Sequence, residues 1–138
     1  MPDNIRAPKK LTRREQRDLD VEIQFMEGLL RRDPQYADAL QILGDDYTRR
    51  GKVQQGLKVD EELSRLQPRD AQVHYNLACS YSLAGQMDQA VAALEKALHL
   101  GFREFKWLAR DPDLHNLREH PLYEAVRAKI RKLQIKIA

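Results

Sequence analysis

The sequence contains one cysteine, six glycines and six prolines, and only 7% of its 138 residues are aromatic. Because a single cysteine, Cys79, cannot form an internal disulfide, the class of disulfide-stapled secreted scaffolds is excluded. We therefore expect a reducing cytoplasm to be the location of the protein. No apolar run approaches the roughly 20 residues of a membrane-spanning helix, and no hydrophobic segment follows the basic residues of 1–17. We expect neither a membrane span nor a secretory signal.

Motifs that carry catalysis or nucleotide binding are also missing. The sequence contains no GxxxxGK[ST], GxGxxG, GxSxG or HExxH pattern. Its four histidines include no pair spaced by four residues, the spacing that lets two imidazoles bind one metal ion from one helix face. Cys79 has no second cysteine to act with, and we expect it to pack as a small apolar side chain. The protein is therefore expected to be no enzyme and to use no cofactor and no metal.

Charge is unevenly distributed along the chain. The formal net charge is +3, but residues 1–17 and 121–138 each carry +4 and residues 18–120 carry −5. Basic ends on an acidic body can contact nucleic acid, an anionic membrane or an acidic protein, or they can simply keep the ends solvated. We favour solvation, because charge runs of this size are common on protein surfaces. Binding of nucleic acid would also be expected to use interleaved aromatic rings, and the basic ends carry only Tyr123. Nucleic acid is not the expected partner, although it stays an alternative.

The amino-terminal quarter is expected to be a flexible basic tail over residues 1–11 followed by one helix over 12–33. Pro34 ends this helix, since the residue before a proline avoids helical geometry. The expected buried stripe repeats at helical spacing and consists of Leu19, Ile23, Met26 and Leu30, widened by Val21, Phe25 and Leu29.

A 34-residue period dominates the centre of the chain. The first copy contains Leu40, Leu43, Gly44, Tyr47, Gly51 and Pro68. The equivalent positions of the second copy, each 34 residues later, are His74, Leu77, Ala78, Tyr81, Gly85 and Phe102. Each copy, 37–70 and 71–104, reads as two amphipathic helices joined by a glycine turn. Asp70 is placed to cap the second copy, and Gly101 is placed to end it in a left-handed conformation.

The period changes after Gly101. FREFKWLAR allows about two helical turns, Asp111-Pro112 interrupts the helix, and DPDLHNLR forms a short second piece. A last helix opens at His120-Pro121 and runs to about Lys136. Its apolar face is formed by Tyr123, Val126, Ile130, Leu133 and Ile137.

This period, with its small and tyrosine positions, resembles the tetratricopeptide repeat family. The block after Gly101 resembles the segment that follows the last repeat in a group of bacterial members. The resemblance implies an all-α fold, a right-handed superhelix of antiparallel helix hairpins with capping helices at both ends. It also implies one domain over 12–136, composed of a cap at 12–33, repeats at 37–70 and 71–104, and closing helices at 105–136.

The resemblance further implies that the first helix of each hairpin lines a concave groove that binds a peptide segment of another protein. The expected groove residues are Gln41, Asp45, Arg49, Gln72, Tyr75, Asn76, Cys79, Lys106 and Arg110. Some members grip a terminal carboxylate, and Asn76, Lys106 and Arg110 occupy positions of that clamp. The two further clamp positions hold Gln41 and Asp45 instead of lysine and asparagine, and an aspartate repels a carboxylate. We therefore expect a general peptide groove.

Two residues of the first repeat depart from the family pattern. Gly56 replaces an alanine where the two helices touch, and Asp60 replaces an apolar residue that faces the core. A buried lone carboxylate is unfavourable. A small rotation of the helix, with Val59 and Leu63 in the core and Asp60 in solvent, is the expected outcome; a buried Asp60 with a hydroxyl or imidazole partner is the alternative.

The sequence thus predicts a cytoplasmic adaptor that binds another protein in a groove. Two alternatives stay open: a nucleic-acid-associated accessory protein that acts through its basic termini, and a self-associating scaffold. A homodimer is left open because three or more repeats are usually needed for a stable stack.

Overall fold

The computed structural model describes residues 10–137, and all regular secondary structure within this range is helical. The prediction of an all-α fold is therefore confirmed. The expected tail over 1–11 lies outside the described residues except for its last two positions. The described chain divides into two compact units at Pro68–Arg69, so the single domain over 12–136 stays a prediction. None of the helices within 10–137 has the length and apolar character required to cross a membrane.

The amino-terminal unit consists of three helices, α1 (Arg13–Arg32), α2 (Ala37–Arg49) and α3 (Val53–Leu66). Helix α1 begins at a capping box. The Thr12 hydroxyl accepts a hydrogen bond from the Glu15 amide at 3.1 Å, and the Glu15 carboxylate accepts one from the Thr12 amide at 2.9 Å. This reciprocal pair satisfies two amides that a helix start leaves without partners. The helix runs to Arg32, before Pro34, so its observed bounds agree with the predicted range 12–33 to within one residue.

Helix α2 lies between its two neighbours and packs against both. Ile23, Leu43 and Tyr47 form a buried cluster, which is covered by Met26, Leu30 and Val59. The expected contribution of Val21 and Phe25 to the core is wrong, since these side chains are 68% and 61% exposed. They lie on the side of α1 that faces away from α2, and no described residue covers that side.

Helices α2 and α3 approach each other most closely at two glycines. A Cβ atom on Gly56 would lie 3.3 Å from the Gly44 carbonyl oxygen and 2.7 Å from Thr48 Oγ1. The departure from alanine at Gly56 therefore has a packing reason. Asp60 is only 8% exposed, so the expected solvent-facing position of Asp60 is wrong. Its carboxylate faces Gly44, and the glycine leaves the space that this buried group occupies.

The carboxyl-terminal unit begins with a second hairpin, α4 (Ala71–Leu83) and α5 (Met87–His99). Asp70 caps α4 as predicted, because its carboxylate accepts hydrogen bonds from the amides of Gln72 at 2.9 Å and Val73 at 3.3 Å. Gly101 has a φ of 111° directly after the hairpin, and the predicted left-handed end of α5 is confirmed.

The closing segment follows as α6 (Phe105–Leu108), a 3₁₀ turn (Pro112–Leu114), α7 (His115–Arg118) and α8 (Tyr123–Ile137). Helix α6 has one turn where the sequence predicts about two, because the chain leaves helical geometry before Asp111. The 3₁₀ turn and α7 pack against α4, and α8 packs against α5. Leu108, Leu114, Leu117 and Val126 are fully buried by this packing, so the closing segment seals one side of the hairpin.

The tight fit at Gly44 yields a stability prediction. A Cβ atom there would lie 2.7 Å from Asp60 Oδ1 and 3.3 Å from Val59 Cγ1. Gly44→Ala should therefore lower the free energy of unfolding by about 1 kcal/mol, since overpacking outweighs the gain in helix propensity. Gly28→Ala is the matched control, because an added Cβ meets only Arg31 Nη2 at 3.6 Å. In dilute solution, urea unfolding followed by circular dichroism should rank the control above wild type, and equal stability of both variants would contradict the packing argument.

Candidate peptide-binding surface

Three predicted groove residues lie on one face of α2. Gln41, Asp45 and Arg49 are all exposed and recur at every fourth position, the spacing that aligns side chains along a helix. The row presents an amide, an acid and a base in succession. Each of these groups is therefore accessible to a ligand on the amino-terminal unit.

On the carboxyl-terminal unit, the predicted residues of α4 separate into two layers. Gln72 is exposed and Asn76 is half-exposed, and the Gln72 side-chain amide donates a hydrogen bond to Asn76 Oδ1 at 2.9 Å. This bond orients the Asn76 amide, leaving its own NH₂ group to donate outward. The two residues form a polar strip along α4, which we call the amide strip.

Tyr75 and Cys79 lie beneath the amide strip and are buried, with Tyr75 only 2% exposed. The Tyr75 hydroxyl donates a hydrogen bond to Asp111 Oδ2 at 2.6 Å, and Cys79 Sγ lies 3.7 Å from the same oxygen. The Tyr75 ring stacks on Phe102 with centroids 4.1 Å apart and planes inclined by 7°. These two predicted groove residues are thus covered by the closing segment and support the surface from below.

Burial controls the chemistry of this cluster. Burial, together with the nearby Cys79 and Asp111, raises the pKa of the Tyr75 hydroxyl, and burial followed by the charges of Asp111 and Asp113 raises the pKa of the Cys79 thiol. Both groups therefore stay protonated near neutral pH and act as donors. A protonated, buried thiol is a poor nucleophile.

The same cluster brings together atoms that metals can use. One ligand atom from each of Cys79, Asp111 and Asp113 lies within 4.8 Å of the others. However, one Asp111 oxygen accepts from Tyr75 and the other accepts from the Asp113 amide at 3.0 Å. A metal would also have to displace the proton that the raised thiol pKa retains. These donors therefore fit a structural hydrogen-bond network, and the expectation of no metal stays a prediction.

The predicted basic residues lie on either side of a tryptophan. Lys106 and Arg110 are exposed, and Trp107, between them in α6, is 46% exposed. Arg110 directly precedes Asp111, whose bond to Tyr75 ties this part of the chain to α4. Two cations and one accessible aromatic ring therefore lie in the part of this unit that directly precedes Asp111.

A second basic surface lies between α5 and α8. An open groove of about 550 Å³ has Leu98, Leu133 and Ile135 among its apolar lining residues. Its polar and charged rim consists of Glu95, His99, Arg103, Lys129, Lys132 and Lys136. Lys129 pairs with Glu95 at 3.6 Å, so part of the positive charge is neutralised within the unit.

One buried acid, Asp46, directly follows the exposed Asp45 in α2. Asp46 is buried in α2, and its Oδ2 has no hydrogen-bond partner in the described part of the chain. Burial, a hydrogen bond shared with Glu22 and the negative charges of Glu22 and Asp45 raise the pKa of Asp46 to about 7. Asp46 therefore carries a proton at mildly acidic pH and is half-ionised near neutrality.

Three residues of this surface are missed by sequence reasoning. Asp111 is recognisable as a helix break before proline, but its pairing with Tyr75 depends on a contact across 36 positions. Phe102 stands where the first repeat has Pro68, so its stacking on Tyr75 has no counterpart in that repeat. Trp107 is the only tryptophan of the chain, and its position beside Lys106 is the one signal that marks it.

Comparison with known proteins links the chain to the tetratricopeptide repeat. Residues 71–100 match the family model described by that name, so the resemblance noted for this segment is confirmed. The chain is also similar to a chloroplastic protein of Arabidopsis thaliana, with 37% identity over 99 residues. The match covers 68% of this chain and 30% of that protein, so the chain spans about a third of the length of its relative.

The buried Tyr75–Asp111 bond yields a second prediction. Tyr75→Phe removes the donor and leaves a buried carboxylate oxygen less satisfied, so the free energy of unfolding should fall by about 1–3 kcal/mol. Urea unfolding followed by Trp107 fluorescence reports on the closing segment directly, since the chain has no other tryptophan. Tyr36→Phe, at an exposed ring, is the matched control and should leave the midpoint unchanged. Identical midpoints for both variants would show that the bond adds no stability.

Asp46 yields a prediction of pH dependence. The unfolded chain releases this proton near pH 3.8 and the folded chain near pH 7, so stability from Asp46 is present below about pH 4 and is lost as the pH rises to about 7. One pKa unit corresponds to about 1.4 kcal/mol. Asp46→Asn should therefore be more stable than wild type by at least about 1 kcal/mol at pH 8.

At pH 5 the advantage of Asp46→Asn over wild type should be smaller than at pH 8, because only part of the interval between the unfolded and folded pKa values of Asp46 has then been crossed. Chemical unfolding at both pH values measures this, with Asp38→Asn at an exposed position of α2 as the control. A difference that does not depend on pH would contradict the raised pKa.

Proposed function

We propose that this chain, which contains a tetratricopeptide repeat at residues 71–100, binds an extended peptide segment of another protein. Tetratricopeptide repeats generally mediate protein–protein interactions and are not catalytic. The proposal therefore makes the chain an adaptor rather than an enzyme, acting without a cofactor. A role limited to the cytoplasm stays the expectation drawn from its single cysteine.

The observation that carries the proposal is the layered construction of the first helix of the repeat. The amide strip of Gln72 and Asn76 is accessible, while Tyr75 directly beside it is buried and tied to Asp111. A rigid base under accessible donors and acceptors reduces the conformational entropy that binding costs. Side-chain amides can pair with the backbone of an extended peptide without selecting its sequence.

Charge and apolar contact then indicate which peptide fits. Lys106 and Arg110 favour acidic side chains or a terminal carboxylate, and the exposed Trp107 ring between them is suited to an apolar anchor. On the other unit, Gln41, Asp45 and Arg49 offer a row of mixed charge, in which Asp45 repels an acidic ligand. We therefore propose that the acidic part of the peptide contacts Lys106 and Arg110.

The basic termini support a different function less well. The groove between α5 and α8 is lined by cations, but its lining contains no phenylalanine, tyrosine or tryptophan ring on which a base can stack. Binding of nucleic acid through the termini accordingly stays the alternative, and it predicts a steep loss of affinity with salt.

The peptide proposal is tested with a displayed library of random peptides, followed by fluorescence anisotropy of the selected sequences. The double variant Asn76→Ala, Arg110→Glu should weaken binding by roughly tenfold or more, since it removes an amide of the strip and reverses one cation. The matched control is Gln89→Ala, Lys96→Glu, which makes the same chemical changes on exposed positions of α5.

The control should bind as wild type does, and circular dichroism should show that both variants retain their helices. Selected peptides should contain acidic residues beside an apolar one. Equal affinity for the two variants, or selection of no peptide at all, would contradict the proposed surface.

A further inference from the structure

The outward side of α1 carries an apolar stripe that nothing in the described residues covers. Val21 and Phe25 are largely exposed, and Leu29, four positions further on, is half-exposed. The fourfold spacing places all three on one face of the helix. Leu19 and Ile23 occupy the other face and are buried, so α1 has two apolar faces and the amino-terminal unit uses one of them.

A hollow lies within this stripe. It has a volume of about 490 Å³ and is lined by Gln24, Phe25, Gly28, Leu29, Arg31 and Arg32. Gly28 leaves its floor open, since an added Cβ there would meet only the Arg31 side chain. A hollow bordered by one phenylalanine and large enough for another aromatic ring is suited to knob-and-hole packing between helices.

Charges stand at both ends of the stripe. Asp18 lies seven residues before Phe25 and Arg32 lies seven residues after it, about two helical turns in each direction. Both are exposed. The face of α1 thus reads acid, apolar, aromatic, apolar, base, and it is arranged symmetrically about Phe25.

We propose that this face binds the same face of a second copy of the chain, with the two α1 helices antiparallel and a two-fold axis passing beside Phe25. This arrangement places Val21 opposite Leu29 of the second copy and Asp18 opposite Arg32 of the second copy, and each pair occurs twice. A parallel arrangement would place acid against acid and base against base. The charges therefore select the antiparallel orientation.

Side-chain direction completes the fit. Helical side chains lean towards the amino terminus of their own helix, so in an antiparallel pair each Phe25 leans towards Gly28 and Leu29 of the other copy. Each ring then enters the hollow of the other helix. One two-fold operation satisfies the apolar, aromatic and charged positions together, as an interface between identical copies requires. This is the reason to place a second copy here rather than an unrelated protein.

The test exchanges the charges. Asp18→Arg puts two cations opposite each other at both ends of the pair, and Arg32→Asp puts two anions there. Each variant alone should lose at least roughly tenfold in self-association, measured by sedimentation velocity of the full chain over a roughly hundredfold dilution series. Mixed in equal amounts, the two variants present opposite charges at both ends and should form a heterodimer.

Two further variants complete the experiment. Asp38→Arg makes the same charge change as Asp18→Arg at an exposed position of α2, and it should dimerise as wild type does. Phe25→Ser should abolish association, since it removes the ring that fills the hollow. Circular dichroism of each variant confirms that the helices are intact.

The proposal is overturned by a wild-type chain that stays monomeric throughout the dilution series. It is also overturned by charge variants that remain helical but do not associate when mixed, or by a dimer that survives Phe25→Ser. Peptide binding through the amide strip involves a different unit, so the two proposals fail separately.

Discussion

The close approach of paired helices is the constraint on which both units depend. In the amino-terminal unit the approach requires glycine at both contact positions, because a Cβ on Gly56 would press against the Gly44 backbone and one on Gly44 would press against Asp60. In the carboxyl-terminal unit, Ala78 and Ala90 are fully buried in the hairpin. Helices that approach this closely exclude large side chains from the contact. The larger apolar groups then pack on the remaining faces, which is why each hairpin needs a further helix or segment to cover it.

Three aspartates are buried by this packing, and their carboxylates have different surroundings. Asp111 accepts hydrogen bonds from Tyr75 of α4 and from the Asp113 amide of the closing segment, so both of its carboxylate oxygens have a donor. Asp46 lies beside Glu22, and burial raises its pKa to about 7. Asp60 occupies the space left by Gly44. A carboxylate with donors fastens one segment to another, whereas one beside a second acid makes stability depend on pH.

Features that depend on local chemistry can be predicted from this sequence. The start of α1 at Thr12, the cap at Asp70 and the end of α5 at Gly101 each follow from neighbouring residues. Burial depends on segments that are distant in the sequence, and the hydrophobic periodicity is insufficient to predict it. The periodicity identifies the faces of α4, but it does not reveal that the turn after Asp111 covers Tyr75. It also identifies an apolar stripe around Phe25, but it does not reveal that no described segment covers this stripe. Only the position of a second segment decides between a core residue and a surface residue with the same spacing.

The apolar residues at the two ends of the described chain are covered to different extents. Behind α4 and α5, the closing segment buries Leu114, Leu117 and Val126, and the long helix α8 leaves its polar residues outside. On α1, nothing within residues 10–137 does the same for Val21 and Phe25. Isolated exposed apolar residues are ordinary on a protein surface. An aligned apolar stripe with a hollow at its centre and opposite charges at its ends is a more specific arrangement and calls for an explanation. Since the stripe is its own complement under a two-fold rotation, the symmetric pair is the arrangement that satisfies it without requiring any feature from another sequence.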